Sequence, residues 1–77
     1  MTKIAVIGAG LIGQAWAIVF ARGGCDVQVW DGDAQAQARA LPLIAQQVRQ
    51  LEEKQLLADA GSVIGRVHAA GSLEEAL

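Results

Sequence analysis

Two rhythms of apolar and polar positions run along this chain. Lys3-Ile4-Ala5-Val6-Ile7 opens it with a short apolar run rich in β-branched residues, the pattern of a strand buried on both faces in a parallel sheet. From Leu11 to about Arg22 nearly every position is apolar, and neither Pro nor Gly interrupts the segment after Gly13. That length suits a helix buried against a sheet, and Gly23-Gly24 ends it as glycine does just past a helix C-terminus. Asp26-Val27-Gln28-Val29-Trp30 then alternates polar with apolar, which predicts a second strand.

Asp31-Gly32-Asp33 is a turn, with Asp33 placed to cap the next helix. That helix is predicted over roughly Ala34 to Lys54, with Leu41, Ile44, Val48 and Leu51 on one face. Pro42 lies inside it, and proline's missing donor and clash with the preceding turn predict a kink or restart near Leu41. A shorter helix is expected around Gln55 to Ala60, stopped by Gly61-Ser62. Arg66 to Ala69 reads as a short third strand, and Ser72-Leu73-Glu74-Glu75 as a capping box opening a last helix. The order β-α-β-α(α)-β-α predicts an α/β fold: a Rossmann-type parallel sheet with flanking helices, of which the first β-α-β-α-β half is present.

Composition narrows the function classes. At 77 residues, 53% hydrophobic and 18% charged, the chain has a globular composition and room for at most one small domain. A net charge of −2 without any basic block disfavours a nucleic-acid partner, which needs clustered Lys and Arg. No stretch approaches the ~20 apolar residues that span a bilayer. Cys25 is the only cysteine, so neither an intrachain disulfide nor a cysteine zinc site is available. These features read as a soluble, cytoplasmic protein.

The candidate chemistry lies in Gly8-Ala9-Gly10-Leu11-Ile12-Gly13. G-x-G-x-x-G gains meaning from context, and here it follows a buried strand and opens a long helix. Gly8 permits a sharp turn out of the strand, Gly10 lets backbone approach a pyrophosphate, and Gly13 lets the helix pack closely. The first-turn amides, including those of Leu11 and Ile12, point at the anion with the helix dipole behind them. Asp31, at the end of the second strand, stands where a carboxylate accepts hydrogen bonds from the adenosine ribose and repels the extra phosphate of NADP. No Lys or Arg follows until Arg39, so NAD is favoured, with FAD left open because flavoproteins use the same first βαβ unit. The competing readings are an ordinary strand-to-helix turn for the glycines and a turn-forming role for Asp31.

Other residues carry less. His68 is the only histidine and has no nucleophile or acid nearby in a recognisable arrangement, so a structural or surface role is expected. Cys25 reads as a small packing residue. Glu52-Glu53 and Glu74-Glu75 point apart on their helices and read as solvated faces. No catalytic residue and no metal ligand is assigned.

With loop and acid placed, the chain resembles the 3-hydroxyacyl-CoA dehydrogenase family. The resemblance rests on Lys3 to Gly13, Ala17-Ile18-Val19-Phe20-Ala21-Arg22-Gly23-Gly24, Val27 to Asp31, the helical hairpin that follows, and Gly71-Ser72-Leu73-Glu74-Glu75-Ala76. Trp16-Ala17 is similar to the branch holding λ-crystallin, L-gulonate 3-dehydrogenase and L-carnitine dehydrogenases, although Trp16 also reads as a core-packing residue. The resemblance implies NAD-dependent oxidation of a 3-hydroxy group on a 3-hydroxyacyl-CoA or a free 3-hydroxy acid, a role in fatty acid metabolism, and a homodimer at full length. It carries over only Gly8, Gly10, Gly13 and Asp31, with the backbone of Leu11 and Ile12; the family's catalytic positions lie on later segments. The 77 residues are therefore expected to be a fragment, with the first strand left as an open apolar edge. The alternative is a stand-alone nucleotide-binding or assembly module without catalysis.

Overall fold

The computed structural model describes residues 2–77. It holds β1 (Lys3–Ile7), α1 (Leu11–Arg22), β2 (Asp26–Trp30), α2 (Ala34–Glu53), α3 (Ala60–Ile64), β3 (Val67–Ala69) and α4 (Leu73–Ala76). The three strands form one parallel sheet in the order β1-β2-β3, the Rossmann-type half expected. Ile4 and Val6 pair with Val27 and Val29, and Val27 pairs with Val67. These residues present one apolar face, against which α1 and α2 bury Ala17, Ile18, Ala21, Ala40, Ile44 and Val48. The first three elements begin and end where the sequence places them.

Burial departs from expectation in the first two elements. β1 is buried on one face only: Val6 is buried, whereas Ala5 is exposed and Ile7 is 52% exposed. The reason is topological, because β1 is an edge strand and its second face meets only the short α4. In α1 the buried positions are Gln14, Ala17, Ile18 and Ala21, a single stripe at helical spacing. Leu11, Ile12, Trp16 and Val19 face outward. Trp16 is therefore not a core residue; it stacks on Phe20 with ring centroids 5.7 Å apart.

The helical hairpin needs two corrections. No break accompanies Pro42, and α2 runs through it. Proline removes the hydrogen bond to the carbonyl of Ala38, and both residues are exposed, so the loss falls on the solvent side while the buried stripe of Ala40, Ile44 and Val48 keeps its register. The following helix starts at Ala60, the residue where the sequence reading ends it. After Glu53 the chain closes α2 with Gln55 at φ 60°. The Leu56 amide donates to the Leu51 carbonyl at 2.9 Å and the Gln55 amide to the Glu52 carbonyl at 3.0 Å. This is a Schellman closure with glutamine in glycine's usual place. Asp59 then caps α3 through the Ser62 amide at 3.1 Å, and the Ala60 amide donates to Glu52 Oε2 at 2.8 Å. Glu52 thus links two helices and is more than a solvated side chain. The expected capping box is present with a shifted partner: Glu75 N donates to Ser72 Oγ, while the Glu75 carboxylate accepts from Gly71 N.

Candidate cofactor site

The site begins where β1 stops. Gly8 turns the chain at φ 112°, in a region that L side chains rarely adopt. Its amide donates to the Trp30 carbonyl at 2.7 Å, so the loop leaves the sheet directly beside the end of β2. Gly10 occupies the N-cap position of α1, without a side-chain cap and without an acid in the first turn. Gln14 is the first residue whose amide finds an acceptor, the Gly10 carbonyl at 2.9 Å. Among the described residues the amides of Leu11, Ile12 and Gly13 have none, and they lie at the positive end of the helix dipole.

The other two glycines are needed for different reasons. A Cβ added to Gly10 would meet nothing within 4 Å; the space it would enter is open, beside the free amides. A Cβ on Gly13 would overlap the Gly8 carbonyl oxygen and stand 3.5 Å from Val6 Cγ1. Gly13 is thus required by the fold itself, and its tight neighbour is the loop backbone as well as the strand.

Asp31 closes the site from the β2 side. Its Oδ2 accepts from the Ala9 amide at 2.7 Å and its Oδ1 from the Asp33 amide at 2.7 Å. The turn role is real, since the second bond is an Asx turn, but the same carboxylate also reaches the glycine loop. The Ala9 amide, then the Asp33 amide, hold its pKa below the ordinary carboxylate value; partial burial opposes them weakly. The acid therefore stays ionised at neutral pH. Asp33 itself is occupied as the α2 cap, accepting from Gln35 and Ala36 amides.

Three glutamines brace this arrangement, and the sequence reading assigns none of them a part. Gln14 Nε2 donates to the Ala9 carbonyl at 3.0 Å, and Gln47 Nε2 donates to Gln14 Oε1 at 2.7 Å. Gln37 Oε1 accepts from the Asp31 amide at 2.7 Å, while its Nε2 donates to the carbonyls of Val29 and Ala70. Gln14 did carry a signal: it is the one polar side chain in the middle of an apolar helix, and a buried amide needs partners. Gln37 continues the apolar stripe of α2 by one turn toward its N-terminus.

The remaining candidates lie elsewhere. His68 Nε2 is 3.8 Å from Asp26 Oδ1, both part-exposed on the sheet face that α4 borders; such a pair contributes little. Cys25 is half-buried against the core.

Residues 3–77 match the family described as 3-hydroxyacyl-CoA dehydrogenase, NAD binding domain. The chain belongs to this family. NAD, rather than FAD, is accordingly the cofactor of the domain. Among curated relatives, the Lambda-crystallin homolog of Rattus norvegicus is 34% identical over 77 residues, covering 96% of this chain and 24% of that protein. Its Homo sapiens counterpart is 35% identical over 74 residues, covering 96% of this chain and 20% of that protein. The 3-hydroxybutyryl-CoA dehydrogenase of Escherichia coli superimposes with a TM-score of 0.83 at 26% identity, over 94% of this chain and 16% of that one. The chain thus spans about a quarter or less of the length of these dehydrogenase-family relatives. No helix among the described residues is long and apolar enough to cross a membrane.

Proposed function

We propose that this chain forms the adenosine-ribose and pyrophosphate half of the NAD site in an oxidoreductase. The whole protein would oxidise the 3-hydroxy group of a 3-hydroxyacyl-CoA or a free 3-hydroxy acid, passing hydride to the nicotinamide. The observation that carries this reading is the junction of Asp31 with the glycine loop through the Ala9 amide at 2.7 Å. It places a carboxylate held in its ionised form beside three unpaired helix-terminal amides and the open space over Gly10. In this reading Leu11, Ile12 and Gly13 offer their amides to the pyrophosphate, and Gly8 and Gly10 shape its approach. Asp31 accepts from the ribose hydroxyls with lone pairs left by its two backbone bonds. A 2′-phosphate at that place would meet the same negative charge without a nearby cation to offset it.

The nicotinamide half and the catalytic groups then belong to the rest of the protein, as do homodimer contacts. Membership of a 3-hydroxyacyl-CoA dehydrogenase family supports a small-molecule substrate and a role in fatty acid metabolism; similarity to Lambda-crystallin homologs supports the branch named with them, and free hydroxy-acid substrates and a cytoplasmic location are proposed with it. The test is titration of the full-length protein with NAD and NADP, followed by turnover with a panel of 3-hydroxyacyl-CoAs and free 3-hydroxy acids. Asp31→Ala should weaken NAD binding roughly tenfold and narrow the preference over NADP, since hydrogen bonds to a charged group contribute about 1.5–3 kcal/mol. Unchanged affinity for both would remove Asp31 from the ribose role, and no turnover of any 3-hydroxy compound would end the dehydrogenase reading.

A further inference from the structure

The end of β2 contains an irregularity that points to a specificity-determining residue outside the fingerprint. Along the side of β2 that faces β3, the Val27 amide donates to the Arg66 carbonyl at 2.8 Å and the Val29 carbonyl accepts from the Ala70 amide at 2.9 Å. With a period of two, Asp31 is the next residue to bond on that side. No backbone of β3 takes its amide. The Gln37 carboxamide is inserted there: Oε1 accepts from the Asp31 amide at 2.7 Å, and Nε2 donates to the Ala70 carbonyl at 2.8 Å and the Val29 carbonyl at 3.2 Å. One side chain from the first turns of α2 thus replaces a rung of the ladder where the strands diverge. All of its hydrogen-bonding groups are used, and Asp31 has its backbone held on one side and its carboxylate on the other.

We propose that Gln37 is a positioning residue that fixes Asp31 against the ribose and so sets the preference for NAD over NADP. The inference rests on Asp31 being the ribose acid. Gln37 touches no cofactor atom itself; it holds the strand end from which Asp31 projects. Without it the Asp31 amide and the Ala70 carbonyl lose their partner, the Val29 carbonyl keeps only the Ala70 amide, and the end of β2 gains freedom that the two carboxylate bonds must restrain. A carboxylate that wanders both loses hydrogen bonds to a ribose and yields space to a 2′-phosphate. Affinity for NAD and NADP should therefore move in opposite directions, or at least by different factors.

The experiment measures dissociation constants for NAD and NADP in the full-length protein carrying Gln37→Leu, Gln37→Glu or Asp31→Ala, with thermal unfolding as a parallel readout. Gln37→Leu should weaken NAD roughly tenfold and reduce the NAD:NADP selectivity ratio by a similar factor. Gln37→Glu supplies a second readout that folding alone does not mimic. As a carboxylate it still accepts from the Asp31 amide but opposes the two carbonyls; protonated, it donates again and resembles glutamine. Its NAD affinity should recover toward the parent value as pH falls from ~8 to ~4.5, through the ordinary glutamate range, where Asp31, held below the ordinary carboxylate value, remains largely ionised. Equal weakening of NAD and NADP by Gln37→Leu would make Gln37 a merely structural residue and overturn the proposal. If that variant does not fold, the glutamate series decides, and a pH profile parallel to the parent's is the overturning result. Should Asp31→Ala bind NAD as the parent does, the ribose assignment fails and the role of Gln37 falls with it. If only Asp31→Ala weakens NAD, the assignment stands and the proposal alone is lost.

Discussion

The second and third glycines of the loop, Gly10 and Gly13, should respond oppositely to the same added methyl group. At Gly13 the new Cβ would overlap the Gly8 carbonyl oxygen and approach its carbon at 2.9 Å. Both are backbone atoms of a turn already fixed by its bond to Trp30 at 2.7 Å, so no side chain can swing aside to make room. Overpacking of this kind costs up to about 3 kcal/mol. Alanine returns about 1 kcal/mol of helix propensity over glycine inside a helix, leaving a net loss of about 2 kcal/mol. At Gly10 the Cβ meets nothing within 4 Å, and the backbone, at φ −73° and ψ −171°, is one any residue adopts. Exchanging glycine for alanine at an N-cap costs only about 0.5 kcal/mol. Thermal unfolding of the full-length protein, followed by circular dichroism, should therefore place Gly13→Ala about 4–8 °C below the parent and Gly10→Ala within ~2 °C of it. NAD titration should show the reverse order of specificity: Gly10→Ala folds normally and binds poorly, because its methyl group occupies the space beside the free amides. A Gly13→Ala protein as stable as the parent, or a Gly10→Ala protein that binds NAD unchanged, would refute the reasoning.

Pro42→Ala should stabilise the protein by about 1–3 kcal/mol, because it restores a helix donor at an exposed position that no packing contact requires; an unchanged urea midpoint would contradict this. The pH dependence follows from Asp31, whose folded-state pKa lies below its unfolded one. Its contribution to stability is therefore fully present above the ordinary carboxylate range and lost as pH falls through the lower, folded value. Unfolding measured against pH should show that acid-side loss in the parent and less of it in Asp31→Asn; identical profiles would separate the carboxylate's charge from its hydrogen bonds.

The sequence made the first βαβ unit legible because local signals agreed there: the β-branched run, the glycines at both helix ends and the alternating second strand. It failed where one residue type stood in for another. The end of α2 near Lys54 is legible, but Gln55 takes the conformation glycine usually supplies, so nothing in the composition shows that a turn and not a helix follows, and the expected α3 begins several residues early. Pro42 carried a strong breaking signal, yet its cost falls on the solvent side and leaves the buried stripe intact. The expectation of a strand buried on both faces rests on apolar, β-branched content, whereas the burial of Ile7 depends on what lies beside an edge strand. In the site, the glycines and Asp31 were readable as a motif with known geometry. Gln37 was not, because its partners, at Val29, Asp31 and Ala70, come together only when β3 pairs with β2.

Ala9 is held through both of its backbone groups, the Gly8–Ala9 peptide through its amide by Asp31 and the Ala9–Gly10 peptide through its carbonyl by Gln14, which is in turn fastened to Gln47 on α2. Neither of these consecutive peptides can rotate without breaking a hydrogen bond, so the loop that leads into the free amides of Leu11, Ile12 and Gly13 is already fixed before any cofactor arrives. Little conformational entropy then remains to be lost on association. On the proposed assignment, capture of a pyrophosphate would be a single-step encounter with a rigid receptor, and selectivity would rest on which ligands dissociate quickly from it.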